Sequence, residues 1–165
     1  MRTTLTAVTL MALIGLFMGA AAHAANTSTP LADFELTKLD GTVIHSSAEL
    51  PSDGKWLLVY VQANCRPCDR LLNLVKQDEH PELPWKMVII AGGARAVASG
   101  MRQKRADLDG AQWYADESRQ AWVSLRMSGA PMVFGVRDKT IQWSLSGVLK
   151  SDGDVKSILA SWAAE

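Results

Sequence analysis

The fold of this chain is decided by Trp56-Leu57-Leu58-Val59-Tyr60-Val61-Gln62, which is followed by Ala63-Asn64 and then by Cys65-Arg66-Pro67-Cys68. The first seven residues form an apolar run with aromatic and β-branched members, which predicts a buried strand. Residues from about 66 to 76 have helical spacing, so both cysteines fall at the first turn of a helix. A strand that delivers a C-x-x-C pair to a helix start is typical of a dithiol–disulfide site.

The helix start favours a reactive first cysteine. Free N–H groups and the positive end of the helix dipole stabilise a thiolate at Cys65, so this residue can act as a nucleophile near neutral pH. Cys65 and Cys68 are the 2 cysteines of the chain, and the alternative is that they form a purely structural disulfide. Such a bridge would close a very short loop and would therefore add little stability.

The N-terminus predicts export. Arg2 precedes an apolar run from 5 to 16, and small residues lead to Ala22-His23-Ala24, a pattern of signal-peptidase cleavage. We therefore expect a signal peptide at 1–24 and a periplasmic or otherwise exported domain at 25–165. The alternative is that the segment is not cleaved and anchors the domain in the membrane, since its length is near the minimum for spanning a bilayer.

Charge and length indicate one domain without a polyanionic partner. The chain has 165 residues with 17 basic and 17 acidic side chains, and loss of Arg2 with the signal leaves a net charge of −1. This balance does not favour nucleic-acid binding. The segment 25–165 is long enough for a single domain with its own core.

The other predicted elements alternate between strands and helices. The N-terminal part is predicted to contain a hairpin of 34–36 and 42–44 around Asp40-Gly41 and a helical turn at 46–49. After the cysteines follow a strand at 85–91, a helix at about 95–105, a strand at 111–115, a helix at about 117–125 that residues 116–118 can cap, and strands at 132–136 and 141–145. The last element is a helix from about 151 that carries Val155, Ile158, Leu159 and Trp162 on one face. This order predicts an α/β domain with a central mixed β-sheet flanked by helices on both faces.

Four short segments, together with the C-x-x-C pair, resemble a known family. They are Asp33-Phe34-Glu35-Leu36, Leu39-Asp40-Gly41-Thr42, Trp113-Tyr114-Ala115-Asp116 and Gly129-Ala130-Pro131. The chain resembles the thioredoxin-like fold, and within it the exported TlpA-like thiol–disulfide oxidoreductases. That branch includes thiol reductants that serve cytochrome c maturation.

The resemblance implies roles for particular residues. Cys65 would be the exposed nucleophile and Cys68 the buried resolving thiol. Pro131 would follow a cis peptide bond, and the Ala130 backbone would pair with an extended substrate beside Cys65. The alternative for Pro131 is an ordinary trans turn before a strand. The resemblance further implies a monomer that needs no cofactor, acts on protein thiols and disulfides, and exchanges electrons with a partner at the membrane.

The sequence departs from the family at three places. Asn64 stands where an aromatic residue usually precedes the first cysteine. Val59 occupies the approximate place of a buried acid, and Asp69 is the nearest acid after the motif, where TlpA-like reductants often have a glutamate. An acid near the pair helps to move protons during exchange, so these departures leave the direction of electron flow open.

The residues between the cysteines, Arg66 and Pro67, are expected to tune the pair. A positive charge at Arg66 favours the Cys65 thiolate, which stabilises the reduced form and makes the couple more oxidising. The alternative is that Arg66 points into solvent and is screened, with an effect of only a fraction of a kcal/mol.

Two other functions stay open at the sequence level. A metal-binding protein, such as a copper carrier, could add His45 or His80 to the two thiolates, although nothing places either histidine near Cys65. A redox-inert adaptor is the other alternative. The basic helix face of Arg95, Arg102, Lys104 and Arg105 is either a solvated face or a partner-docking surface.

Overall fold

Eight strands form a single sheet in the computed structural model, which describes residues 28–76, 86–146 and 152–164. The strands are β1 (Thr29–Pro30), β2 (Glu35–Lys38), β3 (Val43–His45), β4 (Lys55–Gln62), β5 (Lys86–Gly92), β6 (Gln112–Asp116), β7 (Met132–Arg137) and β8 (Thr140–Ser146). The helices are α1 (Ser46–Glu49), α2 (Arg66–Leu74), α3 (Arg95–Lys104), α4 (Gln120–Ser124) and α5 (Asp152–Ala164). Within the described ranges, no helix is both long and apolar enough to cross a bilayer.

The sheet is mixed, as predicted. Its strand order is β1-β8-β7-β4-β5-β6-β2-β3. The inner strands β4, β5 and β6 run parallel to one another, whereas β7 pairs with β4 in the antiparallel direction and the outer pairs are antiparallel as well. The parallel strands end at one edge of the sheet, and β4 delivers Cys65 to that edge.

Strand β4 lies at the centre and is buried on both faces, which explains its continuous apolar run. Its odd-numbered residues, such as Val59, pack with α2, α3 and α5 in one core cluster that includes Cys68. Its even-numbered residues, such as Tyr60, pack on the other face with α4 and with Leu50, the C-cap of α1. The predicted arrangement of helices on both faces is therefore confirmed.

Two predicted helix boundaries were wrong. Helix α2 ends at Leu74 rather than near 76, whereas α3 spans Arg95–Lys104 with Arg105 as its C-cap, in agreement with the prediction. Helix α4 begins only at Gln120, because Arg119 has a φ of 60° in the left-handed region, which an α-helix does not accommodate. The predicted signal peptide and Ser151, at the start of the predicted final helix, lie outside the described residues.

Candidate dithiol–disulfide site

Strand β4 and helix α2 place the two cysteines at the edge of the sheet. After Gln62 the chain turns at Asn64, which has a φ of 55°. Asparagine tolerates this left-handed conformation better than most residues. Cys65 is then the N-cap of α2, and Pro67 lies in the first helical turn, where its missing N–H costs no helical hydrogen bond.

The two cysteines form a disulfide but differ in their surroundings. Cys65 is half-buried, whereas Cys68 is 0% exposed within the core. The Cys68 amide N–H donates to the Cys65 Sγ at 3.2 Å, and the Cys65 carbonyl accepts from the amides of Cys68 and Asp69. When the disulfide is reduced, the same amide can stabilise negative charge on the Cys65 sulfur. Only Cys65 is accessible from solvent for attack.

The loop before β7 lies against the disulfide. The Ala130–Pro131 peptide bond is cis, which confirms the predicted conformation, and Pro131 is buried. The Ala130 carbonyl oxygen is 4.0 Å from the Cys65 Sγ. The fold thus brings together the two cysteines and the Ala130–Pro131 segment, which lie far apart in the sequence.

The charges beside the disulfide are at the surface. Arg66 is exposed and forms no ion pair with any described residue, and Asp69 is exposed as well. Arg70, on the next turn of α2, binds Asp152 at the start of α5 at 2.6 Å. Val59, which stands at the approximate place of the buried acid in the family it resembles, is fully buried and apolar.

A buried carboxylate does occur elsewhere at this edge of the sheet. Asp116, at the end of β6, is 0% exposed and contacts Tyr60 on the face opposite Cys68. The sequence predicted it only as part of a helix cap within 116–118. Its partner Tyr60 was missed, because no local pattern links residues 56 positions apart.

Of the two candidate histidines, the structure places His45 away from the disulfide. The His45 Nδ1 lies 3.2 Å from an Asp33 carboxylate oxygen, and His80 lies outside the described residues. Among the residues whose structure is described, no group of three or more His, Cys, Asp or Glu side chains could hold a metal ion.

The predicted basic face of α3 is divided between different neighbours. The Arg95 side chain packs on the turn at Gly41, and Arg105 forms an ion pair with Asp107 at 2.8 Å. Arg102 lines two open cavities of about 380 and 300 Å³ between α3 and the turn after β2. Neither cavity is lined by Cys65, Cys68 or Ala130.

Comparison with known proteins rests on structure alone, since neither a protein-family model nor a curated protein matches the sequence. A secreted Mycobacterium tuberculosis disulfide oxidoreductase homologous to Escherichia coli DsbE is similar, with a TM-score of 0.60 at 14% identity over 78% of this chain and 95% of that one. A thiol:disulfide interchange protein of the thioredoxin family from Chlorobium tepidum is similar with a TM-score of 0.59 at 14% identity, over 83% of this chain and 97% of that one. A thioredoxin-like protein from Porphyromonas gingivalis gives 0.65 at 14% identity, over 84% and 95% of the two chains. The described chain therefore has the thioredoxin-like fold that the sequence predicted.

Proposed function

We propose that this protein is an exported thiol–disulfide oxidoreductase that exchanges the Cys65–Cys68 pair with protein substrates. The observation that carries the proposal is the asymmetry of the pair. Cys65 is accessible at the N-terminus of α2 with an amide N–H directed at its sulfur, and Cys68 is buried directly behind it. The similar structures from M. tuberculosis and C. tepidum, which are described as a disulfide oxidoreductase and a thiol:disulfide interchange protein, support the proposal.

The reaction needs no group beyond the two thiols. In the reduced protein, the Cys65 thiolate attacks one sulfur of a substrate disulfide and releases the other as a thiolate. The Cys68 thiolate then attacks the Cys65 sulfur, so that the substrate leaves as its second thiol. The protein dithiol has been oxidised by two electrons and the substrate disulfide reduced by two, and the reverse sequence oxidises a substrate dithiol.

The segment at Ala130–Pro131 is proposed as the substrate-binding element. Its distance from Cys65 Sγ, 4.0 Å at the Ala130 oxygen, supports this role. An extended substrate could form backbone hydrogen bonds with this loop while its own sulfur lies against Cys65. Arg66 and Pro67 are proposed to tune the pair, Arg66 through its charge and Pro67 through the fixed backbone of the first helical turn.

Electron flow is proposed to run from a membrane donor through this protein to its substrates, as in the thiol reductants of cytochrome c maturation. The resemblance of the sequence to the TlpA-like thiol reductants supports this direction, and the predicted export signal at 1–24 is consistent with a donor at the membrane. Equilibration with glutathione buffers, read by thiol labelling, tests it. A reductant is expected at or below about −230 mV, whereas a potential of about −120 to −180 mV would contradict the direction and indicate an oxidase or isomerase.

The activity itself is tested by trapping. Cys68→Ser removes the resolving thiol, so a mixed disulfide between Cys65 and its substrate should accumulate and be visible on non-reducing gels of periplasmic extracts. Cys65→Ser, the matched control, should trap nothing and should abolish exchange. Retained exchange in Cys65→Ser, or no mixed disulfide in Cys68→Ser while Cys65 remains alkylatable, would contradict the proposal.

A further inference from the structure

Asp116 is the centre of a buried polar network that the exchange steps above do not use. Its carboxylate is 0% exposed and accepts hydrogen bonds from the Tyr60 hydroxyl at 3.1 Å and from the amides of Ala121 and Trp122 at 3.1 and 3.0 Å. These donors compensate the cost of burying the charge. Burial, reinforced by the Asp116 carboxylate, holds the pKa of Tyr60 well above its usual value, so its hydroxyl remains a donor.

The two residues whose amides bind Asp116, Ala121 and Trp122, are connected by hydrogen bonds to the segment that precedes the Ala130–Pro131 loop. The Ala121 carbonyl accepts from the Leu125 amide at 3.0 Å, and the Trp122 carbonyl accepts from the Met127 amide at 3.1 Å. Met127 is buried and precedes Ala130 by three residues. A chain of hydrogen bonds through α4 therefore connects Asp116 with the segment that enters the loop beside Cys65.

Tyr60 connects the same carboxylate to the far side of the loop. It lies in β4 opposite Met132, the residue that follows Pro131. Its ring also contacts the Trp122 ring edge-on, with centroids 5.6 Å apart. At Gly92, a Cβ would lie only 2.5 Å from the Tyr60 hydroxyl oxygen, so neighbouring backbone packs closely around this hydroxyl. The segment before the loop is thus connected to the Asp116 carboxylate through α4, and the segment after the loop is connected to it through Tyr60.

We propose that Asp116 is a positioning residue that holds the Ala130–Pro131 loop at the correct distance from Cys65 to bind the backbone of an extended protein substrate. This inference rests on the proposed thiol–disulfide exchange and names the substrate class of that site. Asp116 contacts neither sulfur and lies on the face of the sheet opposite Cys68. It therefore acts on the binding of a polypeptide and not on the intrinsic reactivity of the Cys65 thiolate.

Two probes with the same leaving group separate these effects. One is an extended peptide whose single cysteine carries thionitrobenzoate in a mixed disulfide, and the other is free cysteine carrying the same group. In both reactions the reduced protein attacks the cysteine sulfur and releases coloured thionitrobenzoate, after which Cys68 displaces the peptide or cysteine thiol. Only the peptide has a backbone that can bind the loop, so the ratio of the two second-order rate constants measures the contribution of the loop.

The wild-type protein is expected to prefer the peptide probe. In Asp116→Asn the side-chain NH₂ faces one backbone N–H donor, that of Ala121 or that of Trp122, and this repulsion displaces α4. The peptide rate should therefore fall by about tenfold or more, while the rate with the cysteine probe stays within about twofold of wild type. Tyr60→Phe removes one hydroxyl from the network and should shift the ratio in the same direction by a smaller factor. It provides the same test if Asp116→Asn does not fold.

Asp33→Asn is the matched control, because Asp33 accepts hydrogen bonds from Ser46 and Ser47 at the start of another helix, away from the loop. It should leave the ratio unchanged. A wild-type ratio in Tyr60→Phe and in folded Asp116→Asn, or an equal loss with both probes, would overturn the positioning role and leave thiol–disulfide exchange intact. If the wild-type protein reacts with neither probe, the proposed function itself is overturned.

Discussion

Cys65 and Cys68 lie one helical turn apart, yet they differ in exposure, since Cys65 is half-buried and Cys68 is buried. Exposure makes Cys65 available for attack, and the Cys68 amide N–H, at 3.2 Å, favours negative charge on its sulfur. Arg66, at the first helical position, adds a positive charge that solvent screens. At the residue scale, we therefore expect the helix terminus to contribute more to the reactivity of Cys65 than the Arg66 side chain does.

Replacing Arg66 with Gln tests this balance. The variant is expected to slow alkylation of reduced Cys65 by iodoacetamide at pH 7 by at most about fivefold, since an exposed charge contributes less than about 1 kcal/mol. The difference from wild type should vanish in 1 M salt, where the screening length is about 3 Å. Arg102→Gln, distant from the disulfide, is the control. A tenfold effect that persists in high salt would show that Arg66 acts directly on the thiolate.

Asp33 provides a pH-dependent test at the same scale. Hydrogen bonds from Ser47, chiefly from its backbone amide, lower the pKa of Asp33 from 3.8 to about 2. A lowered pKa in the folded state gives stability that is present above the unfolded pKa of about 4 and is lost as the pH falls toward 2. The urea concentration at the midpoint of unfolding should be higher for wild type than for Asp33→Asn at pH 6, and the two values should converge near pH 2. A difference that is independent of pH would contradict this assignment.

At the scale of elements, close contacts between neighbouring strands depend on residues without side chains. Gly135 in β7 lies opposite Trp143 in β8, and a Cβ at Gly135 would come within 2.3 Å of the indole. The strand pair therefore accommodates a large aromatic ring only because its partner is glycine. In α3, by contrast, a Cβ at Gly100 would meet nothing within 4 Å.

These two glycines should respond in opposite ways to alanine. Gly135→Ala forces Trp143 to move and is expected to lower the free energy of unfolding by about 1–3 kcal/mol. Gly100→Ala is expected to raise it by about 0.5–1 kcal/mol, because alanine favours the helix and restricts the unfolded chain. Urea denaturation of the two variants measures both values. Equal effects of the same sign would mean that contact with Trp143 does not determine the outcome at Gly135.

At the scale of the whole molecule, α5 closes the core behind the disulfide helix. Trp162 is 3% exposed and packs edge-on against Trp143, with centroids 5.8 Å apart. The cationic groups of Lys55 and Arg137 lie 5.1 and 5.0 Å from its ring centroid, and Lys55 Nζ donates to the Trp162 carbonyl. Helix α5 thus joins β4, β7 and β8 through one side chain.

Removing that side chain should weaken the entire domain. Trp162→Ala leaves a large cavity and is expected to lower the free energy of unfolding by about 3–5 kcal/mol. Val123→Ala, at a position 70% exposed, is the control and should change it by less than about 0.5 kcal/mol. Both values come from denaturant unfolding of the oxidised protein. A loss below about 1 kcal/mol for Trp162→Ala would show that α5 contributes little to the core.

The sequence by itself determined the features that depend on neighbouring residues. The apolar run of β4, the start of α2 at the cysteines and the alternation of strands with helices follow from periodicity and local capping, so the mixed α/β sheet could be predicted. The boundary of α4 could not, because the left-handed Arg119 and the hydrogen bonds that the Ala121 and Trp122 amides donate to Asp116 replace an ordinary helix cap.

Only the tertiary structure decided which distant residues meet. It brought Ala130 to 4.0 Å from Cys65 and Asp116 to Tyr60, pairs separated by 65 and 56 positions in the chain. Such contacts depend on strand order and register, which the whole sheet determines together, and no local pattern in one sequence encodes them. The dithiol pair is therefore a property of the sequence, whereas the loop beside it and the carboxylate that holds the loop are properties of the fold.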